Sequence, residues 1–399
     1  MVKETKAHTL IKQVYYHLNL MNAWDKVRAN GGSGGIDGVE IEEFARHLEE
    51  NLKIIEEQLK TDTYLPQPVR RVWIPKPDGG QRPLGIPTIK DRLVQQAIRI
   101  RLEPIFDPKF IESSYGFRPG RSAHQALGDV AICITEGNRW IVEVDIKGYF
   151  DTINHAKLMG LVAERISDGR VLRLIEKFLK AGVMEDFHLR KTTTGTPQGG
   201  TLSPLLANIY LDYYDKKMKA EGFRVVRYAD DWVIPCRSRK QAQRALELTH
   251  RIIEQDLKLC LHPEKTKITY IKQGFEFLGY LFKEGYSLYA FPTIKAIKAF
   301  KQKVRQITRR RRPLKISKII RQLNEVIRGW GYYFRLGRVK HLFWVLDCWI
   351  RWRIRAFKTK CWTWWRTTKG KKYTSKFIHQ TMGLVSLYAI KTRRQSASV

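Results

Sequence analysis

The spacing of apolar and polar residues changes several times along the chain, and each change marks a new type of element. Runs rich in β-branched and aromatic residues predict strands at Val69–Pro75, Ile141–Ile146 and Phe275–Phe282. Apolar residues at helical spacing predict helices at Thr88–Phe106, Leu205–Lys217 and Gln241–Gln255. Two β-rich runs on either side of Ala229-Asp230-Asp231 predict a hairpin over Val225–Pro235.

The two ends of the chain have a mainly helical pattern. The first sixty residues predict helices that are interrupted by the glycine-rich loop Gly31–Gly35. From Thr293 onward the pattern is again helical, with breaks at Pro292 and Pro313. Strands mixed with helices, followed by a helical segment, indicate an α+β domain joined to a helical one.

The net charge of +34 is concentrated in the last third of the chain. From Lys283 to the end there are 30 Lys and Arg residues against 3 acidic ones, which leaves a net charge of +7 for the first 282 residues. Charge of one sign at this density repels itself unless counter-ions neutralise it, so an ordinary solvated surface is a poor explanation. The distribution favours nucleic acid as the partner, ahead of an acidic membrane surface.

Cysteine spacing and hydropathy exclude several other classes of protein. The five cysteines include no C-x-x-C pair, so we expect neither a structural zinc site nor a disulfide framework. The N-terminal residues lack the apolar core of a signal peptide, and no apolar run reaches the roughly 18 residues of a spanning helix. We therefore expect a cytoplasmic protein with no membrane partner.

Three aspartates stand where strands end or turn. Asp145 closes a predicted strand, and Asp230 with Asp231 lies in the predicted hairpin turn. Aspartate is common in turns, so the pair alone has an ordinary structural explanation. Three carboxylates at strand ends also suit a pair of divalent ions, because hard cations prefer oxygen ligands and phosphoryl transfer uses two of them. The β-rich flanks and the upstream Asp145 favour the metal-site interpretation.

Several motifs occur in an order that resembles bacterial group II intron-encoded reverse transcriptases. The residues that carry the resemblance are Gly34–Val39 (GGIDGV), Ile74–Pro87 (IPKPDGGQRPLGIP), Tyr115–His124 (YGFRPGRSAH), Asp145–Asp151 (DIKGYFD), Thr196–Gly200 (TPQGG), Leu202–Asn208 (LSPLLAN) and Tyr228–Asp231 (YADD). They cover most of the chain. The resemblance implies a right-hand polymerase fold, with fingers and palm built on an antiparallel sheet and followed by a helical thumb or maturase domain.

The resemblance also implies a role for individual residues. Asp145, Asp230 and Asp231 would be catalytic, and together with Ile146 they would hold two Mg²⁺ ions. The residues that would contact the nucleotide are Lys76, Arg82, Phe150, Gln198 and Lys265. Phe150 would exclude a ribose 2′-hydroxyl, although an ordinary core aromatic is the alternative, and exposed bases such as Lys76 and Arg82 are commonly only solvated. The residues that would contact template or RNA in this region are Arg70, Ile86 and Arg118.

The basic last third alternates arginines with aromatic residues. This pattern suits RNA, because the arginines would pair with phosphates and the aromatic rings would stack on unstacked bases. The alternative is that the tryptophans form the core of the helices. The RNA-contacting candidates here are Arg309, Arg310, Arg311, Arg328, Arg351, Arg353 and Arg355. The His/Asn/Cys pattern of the family's endonuclease is not found, so we expect that this chain does not nick target DNA.

These observations predict four regions and one principal function. The regions are an N-terminal extension (1–60), fingers and palm (61–285), a helical thumb or maturase domain (286–360) and a basic segment that could bind DNA (361–399). The function is to bind a structured intron RNA, assist its splicing and copy it from a DNA primer into cDNA with deoxynucleoside triphosphates, with target DNA as a further partner. We expect this work in the bacterial cytoplasm, at the nucleoid when DNA is involved.

Three other functions remain open from the sequence. A related reverse transcriptase could serve host defence or another cellular role, and a decayed polymerase could act as a splicing factor only. A structural ribonucleoprotein component would not need three metal-binding carboxylates. The aspartates together with Lys76, Arg82 and Gln198 argue against decay. The sequence does not decide between a monomer and a dimer.

Overall fold

The structure, a computed structural model, describes residues 9–75, 80–185, 188–190, 194–196, 199–360 and 372–392. It divides into two compact units, Met1–Ile268 and Thr269–Val399. The first unit mixes helices with strands and the second has a small sheet followed by helices, so the predicted α+β class is confirmed. Among the described residues, no helix combines the length and the apolar character that crossing a membrane requires.

The first unit contains eleven helices and seven complete strands among its described residues, and it ends within an eighth strand. The helices are α1 (Leu10–Tyr15), α2 (His17–Asn30), α3 (Ile41–Arg46), α4 (Leu48–Lys60), α5 (Ile89–Phe106), α6 (Ala123–Thr135), α7 (Tyr149–Thr152), α8 (His155–Ala163), α9 (Gly169–Lys180), α10 (Ser203–Ala220) and α11 (Arg239–His250). The strands are β1 (Val69–Pro75), β2 (Gln81–Ile86), β3 (Trp140–Asp145), β4 (Val183–Glu185), β5 (His188–Arg190), β6 (Val226–Tyr228), β7 (Asp231–Cys236) and β8 (Lys267–Tyr270). A π-helical turn, Arg251–Asp256, extends α11.

The predicted helices and the predicted hairpin are confirmed with small shifts at their ends. Helix α5 begins at Ile89 because Thr88 is its N-cap, with the Thr88 hydroxyl accepting a hydrogen bond from the Asp91 amide at 3.0 Å. Most of its apolar residues are buried, and α5 contributes them to the core of this unit. Helix α2 packs along it, and the Asn19 amide donates to the Ala97 carbonyl oxygen at 3.2 Å.

Two four-stranded sheets carry the predicted motifs of the first unit. One has the order β6-β7-β3-β8, and antiparallel pairing of β3 with β7 sets Asp145 opposite Asp231. The other has the order β2-β1-β4-β5, in which the β1–β2 hairpin sets Arg70 opposite Ile86. Asp145 and Asp231 therefore share one sheet, and Arg70 and Ile86 share the other.

The second unit contains the three-stranded antiparallel sheet β11-β10-β9 and a set of helices. The strands are β9 (Phe275–Phe277), β10 (Tyr280–Glu284) and β11 (Leu288–Pro292). The helices are α12 (Ile294–Ile307), α13 (Ile316–Phe334), α14 (Lys340–Thr359) and α15 (Leu387–Thr392), with a π-helical turn at Phe377–Thr381. Trp330 stacks on Phe300 with ring centroids 4.5 Å apart, so this tryptophan belongs to the helical core as the alternative interpretation expected.

The prediction of a single strand over Phe275–Phe282 is wrong. The run forms a hairpin instead, because Leu278 and Gly279 adopt positive φ values of 48° and 77° and make a two-residue turn. Phe275 then pairs with Phe282 across the hairpin, and their rings stack with centroids 5.3 Å apart.

The compact units divide earlier than the predicted boundary at 285/286. The reason lies in the packing of β10 and β11 on the helices that follow them: the Tyr280 hydroxyl donates to the Tyr333 carbonyl at 2.5 Å, and the Arg338 amide donates to the Ala290 carbonyl at 2.9 Å. The small sheet therefore belongs to the helical unit. The functional assignment of the four regions remains a prediction.

Candidate active site

The turn between β6 and β7 places Asp230 at the tip of a tight hairpin. Ala229, the first of its two turn residues, has a φ of 59°, a left-handed conformation that a side chain with a β-carbon disfavours. Two-residue hairpins need such a conformation and usually meet the need with glycine. The turn is therefore strained, and strain of this kind persists only where the surrounding structure enforces it.

A buried network enforces the turn. The Arg227 guanidinium donates to both oxygens of Asp215 at 2.6–3.0 Å, to Asn208 Oδ1 at 2.9 Å and to the Ala229 carbonyl at 3.0 Å. The side chains of Arg227 and Asp215 are 0% exposed. The Asn208 amide continues the network by donating to the Gly116 carbonyl at 2.8 Å. The carbonyl that precedes Asp230 is thus held by a buried cation.

Sequence reasoning missed this network, although one signal was present. Asn208 and Asp215 are seven residues apart on α10, so they lie two turns apart on one face of the helix. Polar residues on the buried face of a helix indicate a buried polar partner. The identity of that partner, Arg227, could not be read from the helix.

Gly116 packs directly against the strained turn. A Cβ at Gly116 would lie 2.2 Å from the Ala229 amide nitrogen and 2.9 Å from the Tyr228 carbonyl carbon. Both are backbone atoms, so neither can rotate away. Only glycine allows the Tyr115–His124 motif to approach the hairpin this closely.

We expect Gly116→Ala to lower the rate of nucleotide incorporation about 100-fold, because moving a catalytic group by about 1 Å has an effect of this size. The added methyl group would displace the hairpin that carries Asp230. Single-turnover primer extension measures the rate. Gly128→Ala is the matched control, since a Cβ there meets no atom within 4 Å and its helix, α6, favours alanine. A rate for Gly116→Ala equal to that of Gly128→Ala would contradict the expected role of this contact.

The three aspartates lie at one edge of the first sheet. The register Asp145↔Asp231 puts two carboxylates directly opposite each other on one face, and Asp230 precedes Asp231 in the turn. Burial raises the pKa of Asp230 above its usual range, the negative charge of Asp145 raises it further, and the positive charge of Arg82 opposes the shift. Carboxylates opposed in this way repel one another, so the arrangement favours a cation between them.

The segment before β8 secures Asp145. The Lys265 ammonium donates to Asp145 Oδ2 at 2.7 Å, and the His262 amide donates to the Asp145 carbonyl at 2.8 Å. Lys265 was expected near the nucleotide, and in the structure it pairs with Asp145, one of the predicted catalytic carboxylates. Ile146 is buried and forms an antiparallel bridge with Leu261, which extends the same contact.

The donor chemistry of this edge fits a hard divalent cation. All three side chains offer oxygen, and Asp145 Oδ2 already accepts one cationic partner, Lys265. In the described part of the chain, no three His, Cys, Asp or Glu side chains are gathered tightly enough to form a complete metal site. Asp145, Asp230 and Asp231 are the residues that would hold a divalent cation.

The structure places part of the predicted nucleotide site beside these aspartates. Arg82 is exposed on β2, close enough for its charge to act on Asp230. Phe150 is 8% exposed and packs edge-on against Tyr149, with ring centroids 5.4 Å apart. Lys76 and Gln198 lie outside the described residues. Gly199, which follows Gln198, packs on β2, since a Cβ there would lie 2.2 Å from the Gly85 carbonyl oxygen.

Two of the predicted template residues have partners inside the first unit. The Arg70 guanidinium donates to the Gly34 carbonyl at 2.7 Å, which ties β1 to the N-terminal glycine-rich loop. Arg118 is buried, and its guanidinium donates to Asp107 Oδ1 at 2.7 Å and to the Ile111 and Ser114 carbonyls. Arg118 is therefore committed to holding its own loop, rather than placed for the RNA contact expected from the sequence.

The basic residues of the second unit fall into two groups. One group is half-buried and donates hydrogen bonds within the unit. Arg351 donates to His379 and Cys348, and Arg353 donates to the hydroxyl and the carbonyl of Thr308. Arg355 donates to the Tyr373 carbonyl. Arg310 is also half-buried and donates to the Lys360 carbonyl at 3.3 Å. The exposed candidates are Arg309, Arg311 and Arg328.

Arg309 also lines a cavity between α12 and α13. The cavity has a volume of about 730 Å³, and Lys303 and Arg312 share its wall with one acidic residue, Glu325. The excess of positive charge in this cavity is the feature that an RNA phosphate would use.

Comparison with known proteins agrees with the motifs and the geometry. The sequence profile of the family described as reverse transcriptase (RNA-dependent DNA polymerase) matches residues 74–282, and that of the group II intron maturase-specific domain matches residues 297–376. Protein YkfC of Escherichia coli (strain K12) is 38% identical over 284 residues, which are 62% of this chain and 74% of that protein. The group II intron-encoded protein LtrA of Lactococcus lactis subsp. cremoris is 40% identical over 297 residues, which are 58% of this chain.

The extent of these similarities differs between the relatives. This chain spans 49% of the length of LtrA. A solved structure titled partial Cas6-RT-Cas1–Cas2 complex is 26% identical, covers 66% of this chain and 44% of its own, and has a TM-score of 0.41. The reverse transcriptase profile covers more than half of this chain and includes Asp145 and the strained hairpin with Asp230 and Asp231. The chain therefore belongs to the reverse transcriptases (RNA-dependent DNA polymerases), in the group II intron-encoded branch that joins the polymerase to a maturase-specific domain.

Proposed function

We propose that this protein copies RNA into DNA by two-metal nucleotidyl transfer at Asp145, Asp230 and Asp231. The observation that carries the proposal is the register of β3 with β7, which opposes Asp145 to Asp231 beside the enforced turn at Asp230. A polymerase needs oxygen ligands at a fixed spacing while charge develops on the reacting phosphate. The buried Arg227 network supplies the fixed spacing.

The residues of the chain perform distinct parts of this reaction. Two Mg²⁺ ions, when bound, would activate the primer 3′-hydroxyl and stabilise the leaving oxygen of the deoxynucleoside triphosphate. Arg82, from its exposed position on β2, would pair with the triphosphate, because guanidinium–phosphate contacts are strong and bidentate. Lys265 would release Asp145 Oδ2 to the cation or share it, since its bond to Asp145 is exposed to solvent.

The test of this proposal is primer extension by the purified chain on an RNA template, with a DNA primer, deoxynucleoside triphosphates and Mg²⁺. We expect full-length cDNA, and loss of the product when the ions are chelated. Tight RNA binding without any extension would leave an RNA-binding splicing factor in place of a polymerase.

We further propose that the second unit holds a structured intron RNA, assists its splicing and keeps it in place as the template for cDNA used in mobility. Its charge supports this role, because 30 basic residues lie between Lys283 and the end of the chain. Target DNA is the partner we propose for the cDNA step. The site of action we propose is the bacterial cytoplasm, since the described cysteines are all free thiols and suit a reducing compartment.

We expect Arg309→Gln with Arg311→Gln to weaken RNA binding and to reduce the slope of log K against log salt by about 1 for each phosphate that the variant no longer binds. Both side chains are exposed, so their charges are available to phosphates. Filter binding between about 50 and 200 mM salt, the range over which phosphate contacts dominate, measures the slope. Arg244→Gln is the control, because Arg244 is an exposed cation of the first unit that pairs with Glu221. An unchanged slope in the double variant would remove these two residues from the RNA surface.

A further inference from the structure

Phe117 combines two features that stability alone does not explain. Its φ is 59°, in the left-handed region that strains any residue with a β-carbon and a bulky ring most of all. Its ring is also 45% exposed, so the strain is not offset by burial of the side chain. A strained residue that presents an apolar ring to solvent indicates a function for the ring.

The two neighbours of Phe117 hold it in this conformation. The Gly116 carbonyl accepts a hydrogen bond from the Asn208 amide at 2.8 Å, and the Gly116 Cα packs on the backbone of the catalytic turn. On the other side, the buried guanidinium of Arg118 bonds to Asp107, Ile111 and Ser114. These contacts fix the backbone on both sides of Phe117 and leave its ring exposed to solvent.

The position of the ring points to the nucleotide. Its centroid is 6.5 Å from that of Phe150, and the two planes meet at 79° in an edge-to-face contact. The resemblance to the family assigns discrimination against ribose to Phe150. Phe150 is only 8% exposed, however, and has little ring surface that could contact a sugar. Phe117 supplies the exposed ring at this place, between the catalytic turn and Phe150.

We propose that Phe117 is a second specificity-determining residue of the deoxynucleotide site. Its exposed ring forms the apolar wall that faces the sugar of the incoming deoxynucleoside triphosphate, and its edge contact holds the Phe150 ring in position. A ribose 2′-hydroxyl against two apolar rings loses its hydrogen bonds to water and gains none, whereas deoxyribose has no hydroxyl to desolvate there. This inference rests on the proposed function, because it assigns a substrate contact within the same site.

The test compares incorporation of a single deoxynucleotide and its ribonucleotide on an RNA template, as the ratio of their kcat/KM values. We expect Phe117→Ala to lower the ratio about 3- to 10-fold, the range that an edge-to-face aromatic pair supplies. Phe150→Ala should lower it further. The double variant should lower it by less than the product of the two single effects, because the two rings act through one contact.

Phe117→Gly separates the ring from the strain. Glycine adopts a φ of 59° freely, so this variant removes the ring and relieves the backbone at the same time. It should fold and show the same reduced ratio as Phe117→Ala. Ile132→Ala is the control for loss of an exposed apolar side chain, since Ile132 is 53% exposed on α6, and its ratio should equal that of the wild type.

The outcomes are distinguishable from failure of the polymerase itself. If the wild type extends no primer, the proposed function fails and the role of Phe117 fails with it. If the wild type extends the primer with deoxynucleotides and both Phe117 variants keep its ratio within twofold, only the role of Phe117 is overturned.

Discussion

Asp230→Asn is expected to abolish primer extension while leaving the fold and RNA binding intact. Asparagine keeps the size of the side chain but offers one neutral oxygen, so the cation loses a charged ligand where the carboxylates converge. The rate should fall by at least about 1,000-fold, which corresponds to about 4 kcal/mol of transition-state stabilisation. Single-turnover extension on an RNA template measures this change against the wild type.

The stability of the same variant tests the electrostatic description of the site. Burial and the charge of Asp145 raise the pKa of Asp230, so the folded state favours the protonated carboxyl. The contribution of the Asp230 carboxyl to the free energy of unfolding is therefore present at low pH and is lost as the pH rises through the raised pKa. Asparagine never acquires the charge, so without Mg²⁺ the variant should unfold at the same temperature as the wild type or a higher one at neutral pH.

The control for Asp230→Asn is Asp256→Asn, which removes a carboxylate paired with Lys217 at 2.9 Å in the same unit. That variant should extend primers at the rate of the wild type. If Asp230→Asn kept more than a tenth of the wild-type rate, or lost activity only because its unfolding temperature fell, the assignment of Asp230 as a metal ligand would not stand.

Arg227→Met is expected to destabilise the first unit by about 3–5 kcal/mol, the usual effect of leaving one member of a buried ion pair alone. Both side chains of the pair are 0% exposed, so solvent cannot replace the missing partner of Asp215. The variant also removes the donor to the Ala229 carbonyl, so this hydrogen bond no longer restrains the turn that carries Asp230. Thermal unfolding and single-turnover extension, measured on the same preparations, report the two effects.

A double variant separates stability from catalysis. Arg227→Met combined with Asp215→Leu removes both buried charges, and much of the stability should return because apolar pairs of similar volume substitute well for buried ion pairs. Activity should not return, since no donor then holds Ala229. Arg244→Met breaks an exposed pair with Glu221 and should change stability by less than about 1 kcal/mol. Recovery of full activity in the double variant would exclude a positioning role for Arg227.

The gap between sequence and structure is clearest at Arg118 and Phe117, which are neighbours. Both stand in one motif, and the sequence suggested that Arg118 contacts RNA. The structure buries the arginine and exposes the phenylalanine, because the positive φ at Phe117 reverses the usual direction of the chain at that point. Polarity alone predicts the opposite arrangement, and a single left-handed residue overrides it.

The sequence by itself determined the types of the elements that it predicted in the first unit, the concentration of charge in the last third and the aspartates at the ends of strands. These properties depend on local spacing and residue type, which the sequence contains directly. The tertiary structure alone decided that Lys265 bonds to Asp145, that Arg227 joins Asp215 to the turn, and that Gly116 packs on Ala229. Lys265 and Asp145 are 120 residues apart, and Asn208 and Gly116 are 92 apart. Periodicity shows which face of an element is buried, but the partner of that face is chosen only when distant segments pack together.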